Sequence, residues 1–184
     1  INIQSIKNKL NDLEVILHTE DIQLVGISEH WLNDYESNSL TLENYSVSAH
    51  FSRSNDLHGG SMILTKKKLT CVPLPSCMKF SEEKMTEIAG VSLPTLGIIF
   101  INIYRPPAGN LNRFLENLSK VLGEIDIPHT NVVISGDFNV KFNTKDPMTT
   151  RLCDFMNSFG LIPLVNFPTR KANCLDNVFT NIDL

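Results

Sequence analysis

The sequence predicts an α/β fold in which two packed sheets carry helices on their outer faces. Helical periodicity and short runs rich in Val and Ile alternate along the chain. Several of those runs are apolar on both faces, as strands covered on both sides must be. The order is helix, strand, a run of strands, helix, strand, helix, strand, which is more strands than a simple doubly wound sheet holds. With 184 residues, 42% hydrophobic and 20% charged, the chain is long enough for one domain with a sizeable core and is not a disordered segment.

The first helix rests on Ile6, Leu10, Leu13, Ile16 and Leu17, which share one face, with Ser5 as the expected N-cap. Residues 22–28 read as the first strand. Residues 33–60 are polar and are expected to form an exposed loop. Strands follow at 61–65, 88–93 and 96–104. Leu111, Phe114, Leu115, Leu118, Val121, Leu122 and Ile125 give a second, stronger helical face, and residues 131–135 the next strand. A third helix on Leu152, Phe155, Met156 and Phe159 is expected to stop at Gly160, before a last strand at 178–180.

The longest apolar stretch, residues 96–104, is nine residues interrupted by Asn102, against the ~20 a membrane span needs. No charged segment followed by an apolar core stands at residues 1–20, so no signal peptide is visible in this sequence. The four cysteines form no C-x-x-C pair and read as free thiols. Sixteen basic against 20 acidic residues give a net charge of -4, which disfavours coating nucleic acid by bulk charge and leaves room for a local basic groove.

Chemistry is sharpest where apolar strands end. Val132-Val133-Ile134-Ser135 runs into Gly136-Asp137-Phe138-Asn139, so a carboxylate and an amide two apart project together. Strand C-terminal ends are where α/β sheets place ligands. Asp137 could act as a general base and Asn139 could orient a water or a phosphate oxygen; the alternative is an Asx-turn closing the strand. The strand at 24–28 ends in Glu29-His30-Trp31, where Glu29 offers oxygen to a hard cation such as Mg2+ or is a solvated strand end. His30 reads as a satisfied polar residue, since no second His stands at ligand spacing. The strand at 97–103 ends in Tyr104-Arg105-Pro106-Pro107, a phenol and a guanidinium suited to a phosphodiester, or equally a structural Tyr and a surface Arg. Thr169 and Asp176 complete the candidates. Three strands ending in acid, amide or phosphate-binding groups suggest a carboxylate-rich metal pocket facing an anion, hence phosphoester hydrolysis.

The ordered set Asn2-x-Gln4-Ser5, Ser28-Glu29-His30-Trp31-Leu32, Gly59-Gly60, Tyr104-Arg105-Pro106-Pro107, Gly136-Asp137-Phe138-Asn139, Pro168-Thr169-Arg170 and Leu175-Asp176-Asn177-Val178-Phe179-Thr180-Asn181 resembles the endonuclease/exonuclease/phosphatase (DNase I-like) superfamily. It is most similar to the endonuclease domain that precedes the reverse transcriptase of non-LTR retrotransposons. The resemblance implies one domain over residues 1–184, a four-layer α/β/β/α sandwich. It implies cleavage of target-site DNA with Mg2+, or Mn2+ in its place, leaving a 3′-OH for a reverse transcriptase domain of the same polyprotein. Action would be nuclear and away from membranes.

By the same resemblance Glu29 holds the metal and Asn2 orders the metal or phosphate environment. Tyr104 contacts the scissile phosphate, Asp137 positions or deprotonates the attacking water, and Asn139 orients that water or the phosphate. Thr169 supports the phosphate or its loop, while Arg105, Arg170 and Lys171 face the substrate. An Asp at the position of Asp176 pairs, in this family, with a His from a closing Ser-Asp-His stretch. That stretch does not follow Asp176 here and the first strand is clipped, so an excerpt lacking both edges is expected. None of His18, His30, His50, His58 and His129 takes that place in order, and His58, in the Gly-rich turn, reads as structural. Two other readings stand beside nicking: a retroelement remnant that binds without cutting, and a phosphoesterase on small substrates. Lys66-Lys67-Lys68 and Arg170-Lys171 are the basic segments expected to track phosphates.

Overall fold

The computed structural model describes residues 1–183 and contains two sheets. The first sheet is β1 (Leu24–Ser28), β2 (Tyr45–Phe51) and β3 (Ser61–Lys66), antiparallel in the order β1-β3-β2. Asn2 extends it by a parallel bridge to Ser28. The second sheet joins β4 (Val72–Pro73), β5 (Glu87–Leu93), β6 (Ile98–Tyr104), β7 (Asn131–Asp137), β8 (Ile162–Pro163) and β9 (Asp176–Thr180) in the order β4-β5-β6-β7-β9-β8. Its β6–β7 pair is parallel and its other pairs are antiparallel.

Helix α1 (Leu10–Thr19) covers the first sheet, burying Leu13 and Leu17 against Ile27, Met62 and Leu64. On the other side, α4 (Leu111–Gly123) and α5 (Pro147–Asn157) cover the second sheet through Phe114, Leu118, Leu152 and Met156. Two short helices, α2 (Asp34–Ser39) and α3 (Pro75–Met78), lie in the connections. The result is the helix–sheet–sheet–helix order the sequence predicts. Between the sheets, Ala49, Ile63, Ala89 and Val91 pack together. Beside them a polar knot joins the layers: the Asn102 side-chain amide donates to the Ile27 carbonyl (3.0 Å) and to Ser61 Oγ (2.9 Å), and Ser135 Oγ donates to Asn102 Oδ1 (3.0 Å). Gly26 faces this knot, and a Cβ there would collide with the Asn102 side chain, so glycine sets how closely the sheets approach.

Helix α4 forms where its apolar spacing and its cap agree. The Asn110 side chain accepts from the backbone N–H groups of Asn112 (2.9 Å) and Arg113 (3.2 Å), satisfying two otherwise orphaned donors. Gly160, at φ 73°, turns the chain just beyond α5.

Two expectations are corrected. Ser5 is not a helix cap: α1 begins at Leu10, its N-cap Lys9 makes no side-chain bond, and Ser5 (φ 76°) donates its N–H to the Glu29 carbonyl at 2.9 Å. The chain from Ile3 to Ile6 is held along the end of β1, and those tertiary bonds override its helical spacing; Ile16 is left 55% exposed. Residues 33–60 are not all loop. Asn33 and Glu36 form a capping box that starts α2, and β2 then pairs with β3 around a bulge between Val47 and Ala49.

The parallel register sets Tyr104 beside Asp137, and the antiparallel register sets Asp137 opposite Asp176, so three strands of the second sheet end abreast. The first sheet ends at Ser28 and Glu29 with Asn2 alongside, facing that same end.

Candidate active site

The amide of Asn2 joins the two sheets' carboxylates. Its Nδ2 donates to Glu29 Oε1 at 2.6 Å and to Asp137 Oδ2 at 2.8 Å, so one NH2 group serves two anions. Arg170 adds a charged donor, with Nη2 at 3.0 Å from Asp137 Oδ2. The other Asp137 oxygen, Oδ1, accepts from the backbone N–H of Asn139 at 3.0 Å. Asp137 is fully buried, and desolvation outweighs these donors, pushing its carboxyl up to about 6. The Tyr104 phenol, buried beside the carboxylates of Glu29 and Asp137, is held protonated well above its ordinary range.

Both carboxylate-bearing turns use left-handed backbone: φ is 58° at Glu29, 58° at Trp31 and 49° at Asn139. Such conformations at non-glycine residues cost energy and persist where the surroundings enforce them. At Glu29 the enforcement comes from the hairpin before β3. The N–H groups of Glu29 and Trp31 donate to the carbonyls of Gly60 (2.8 Å) and Gly59 (3.0 Å). The Trp31 indole N–H donates to Glu29 Oε2 at 3.2 Å. His30, fully buried, donates from Nε2 to the Phe51 carbonyl (3.0 Å) and accepts at Nδ1 from the Leu32 N–H (3.1 Å). Burial pushes its pKa down to about 4, so it is a neutral structural residue, as its sequence context predicts. Gly60, at φ 97°, lies against that imidazole, where a Cβ would collide.

The hairpin is fixed in turn by a buried ion pair that sequence reasoning missed. Arg53 Nε donates to Glu87 Oε1 at 2.7 Å, and the Gly60 N–H donates to Glu87 Oε2. Burial raises the Glu87 pKa, while Gly60 and Arg53 oppose the rise. The Arg53 guanidinium also lies 6.0 Å from the centre of the Tyr104 ring, linking the pair to the site. Gly59 leaves room for it, since a Cβ there would meet the Arg53 side chain. The adjacent glycines were the available signal; the partners they make room for were not visible.

Not every expected residue joins the site. Arg105 is 1% exposed and faces the protein rather than a substrate, correcting its expected role. Its guanidinium donates to the carbonyls of Phe138 (3.1 Å) and Gly109, and Asn139 Nδ2 donates to the Arg105 carbonyl (2.8 Å). Arg105 therefore braces the Asp137–Asn139 turn from beneath. Thr169 works on its own loop: its Oγ1 donates to Asp176 Oδ2 (2.6 Å) and accepts from the N–H groups of Leu175 (3.1 Å) and Asp176 (3.2 Å). Lys171 is exposed, next to Arg170 on that turn. His58, read as structural in its Gly-rich turn, has a side chain 73% exposed and lies against Trp31. Lys66 to Lys68 lie at the opposite end of β3 from the site and line a cavity of about 450 Å³ with His18, Asp21, Asn44 and Tyr45. There Lys66 pairs with Asp21 and Lys67 donates to the Glu43 carbonyl, so neither tracks phosphates at the carboxylates.

Glu29 and Asp137 offer hard carboxylate oxygens, the chemistry a Mg2+-type cation takes, while Asn2 turns its NH2 to them and its Oδ1 accepts from the Gln4 N–H at 3.2 Å. Among the described residues no group of three or more His, Cys, Asp and Glu is placed to hold a metal ion. One or two carboxylates completed by water and a substrate phosphate is the usual Mg2+ arrangement, so the donor set fits.

A four-layer α/β/β/α sandwich with carboxylates and amides meeting at one end of its sheets is the DNase I-like fold. The chain belongs to the Endonuclease/Exonuclease/phosphatase family, whose sequence pattern matches residues 1–183. Among solved structures, it resembles the endonuclease domain of TRAS1, a telomere-specific non-LTR retrotransposon, at 17% identity, covering 97% of this chain and 81% of that one, with a TM-score of 0.74. An AP endonuclease from Archaeoglobus fulgidus matches at 15% identity over 98% and 84% of the two chains, with a TM-score of 0.72. A 3′ phosphatase from Neisseria bound to product DNA hairpin matches at 13% over 97% and 84%, with a TM-score of 0.71. No curated protein matches the chain in sequence.

Proposed function

We propose that this domain hydrolyses a phosphodiester in target DNA and leaves a 3′-OH, as the nicking module of a non-LTR retrotransposon. The observation that carries the reading is the bridge from Glu29 through Asn2 to Asp137, which brings two carboxylates together where the two sheets end. Asp137 takes the proton of the attacking water, and a pKa near 6 suits a base working close to neutrality. Asn139, fixed by the Arg105 carbonyl, steadies the neighbouring backbone that orients Asp137. The protonated Tyr104 phenol donates toward the phosphate, and Arg170 offers positive charge beside Asp137. Glu29 would hold Mg2+, or Mn2+ in its place, with Asn2 ordering its carboxylate, and the ion when bound would supply Lewis-acid stabilisation of phosphoryl charge. The freed 3′-OH would then prime a reverse transcriptase domain of the same polyprotein, which makes the nucleus the place of action.

The family resemblance and the likeness to the TRAS1 domain support this choice among phosphoesterases. The test is relaxation of supercoiled plasmid with Mg2+. Open circles are expected, extendable by a DNA polymerase without phosphatase treatment, and lost with excess EDTA. Nicks that persist in EDTA, or ends that cannot be extended, would contradict the reading.

One observation favours a second reading, a remnant that binds without cutting. Among the described residues four histidines take partners other than Glu29 and Asp137: His30 with Phe51, His50 with Asp34, His58 with Asp56 and His129 with Asp126. Binding of the plasmid with no nicking at any Mg2+ concentration would support it. Phosphate release from small phosphoesters without nicking would instead indicate the phosphoesterase reading.

A further inference from the structure

Next to the carboxylates stands an aromatic pair that the hydrolytic chemistry does not use. The rings of Trp31 and His58 have centroids 4.5 Å apart with their planes tilted 56°. The His58 side chain is 73% exposed, Trp31 is only half-buried, and Leu57 beside them is 48% exposed. The fold holds this pair in place rather than letting it drift. The His58 N–H donates to Asp56 Oδ1 (2.9 Å), Asp56 pairs with Arg53 (3.5 Å) and Lys84 (3.2 Å), and the Trp31 N–H donates to Gly59 (3.0 Å). Trp31 sits in left-handed backbone at φ 58°, a costly place for an aromatic residue that the core does not fully bury.

We propose that Trp31 and His58 form a stacking platform for an unpaired nucleobase flanking the scissile phosphodiester, a preference that rests on the DNA-cleaving reading above. Position selects this occupant. The Trp31 indole N–H is bonded to Glu29 Oε2, so whatever phosphodiester the carboxylates receive carries its neighbouring nucleoside past these rings. Every base offers a π face, and base–aromatic stacking tolerates any sequence. Bases inside a duplex are already stacked on one another, so the platform selects strands that are frayed, bulged or single.

Trp31 is the only tryptophan in the chain, so its emission reports on the platform directly. The experiment titrates the protein with octathymidylate and with an eight-unit abasic strand carrying the same phosphates, with Ca2+ present to neutralise the carboxylates. Octathymidylate is expected to quench Trp31 emission and to bind ~10-fold more tightly than the abasic strand, within the range of one stacked base. His58→Ala should shrink that ratio to about 3-fold while abasic binding holds, and His58→Tyr should restore it. Equal affinity for the two strands, no binding of either, or a ratio indifferent to His58→Ala would overturn the platform. Base discrimination in a protein that fails to nick plasmid would leave the platform standing and remove the cleavage reading; nicking without discrimination would do the reverse.

Discussion

Glu29 and Asp137 both close apolar strands, yet the two turns are braced by different means. The Asp137 turn is held from within its own sheet: Arg105, one strand away, donates to the Phe138 carbonyl and to Gly109, and accepts from Asn139 through its own carbonyl. The Glu29 turn is held from outside its strand, by Gly59 and Gly60 of the hairpin that precedes β3, and that hairpin depends on Glu87 of the opposite sheet. One carboxylate therefore depends on local packing, the other on a buried charge pair that spans the two layers. Asn2 is where the two systems meet.

This contrast can be broken most severely at Glu87. Glu87→Ala removes the buried carboxylate that Arg53 and the Gly60 N–H share and leaves the guanidinium only Asp56 at 3.5 Å, which costs about 3–5 kcal/mol. Urea unfolding should show that loss, and the double variant Arg53→Met/Glu87→Leu should recover only part of it, since apolar residues can replace a buried pair but leave the Gly60 N–H without its acceptor. On the other side, Arg105→Ala should cost about 2–3 kcal/mol, because two backbone carbonyls lose a charged donor. A substrate-binding Arg105 would instead raise KM for DNA with the unfolding midpoint unchanged.

The smallest effect depends on pH and again belongs to the Glu29 side. Buried His30 has its pKa held near 4, below its ordinary 6.5, so the unfolded chain binds the extra proton. Its contribution is complete above pH 6.5 and falls as pH drops toward 4, by about 2 kcal/mol between pH 7 and 5. Glu87 and Asp137, whose pKa values are raised, act in the opposite direction, so the His30 share is read as the difference between wild type and His30→Gln. Equal pH slopes in the two proteins would show that His30 does not stay neutral in the fold.

The same contrast explains what could be read from the chain alone. The Asp137 turn is local: strand, Gly136, acid and amide lie within a few residues, and their chemistry is visible as a string. The brace beneath it is not, because an Arg after a strand reads as a surface cation until the carbonyls of Phe138 and Gly109 converge on it. Arg53 and Glu87 are 34 residues apart, and only the packing of one sheet on the other shows them to be partners. Strand β2 did carry a signal, the alternation of Tyr45, Val47, Ala49 and Phe51 with Ser46, Ser48 and His50, but the polar half of that pattern reads equally as loop. The Trp31–His58 contact is hidden for a complementary reason, since a turn sequence says nothing about the aromatic side chain it leans on.

Asp137, bridged to Glu29 through Asn2, is the base we propose for phosphodiester hydrolysis, and the single-turnover nicking rate of Asp137→Ala with Mg2+ reads that role. A fall of about 10²–10⁴-fold, with plasmid binding retained, is the expected result for the loss of a positioned base. A rate within about 3-fold of wild type in a correctly folded variant would contradict the account.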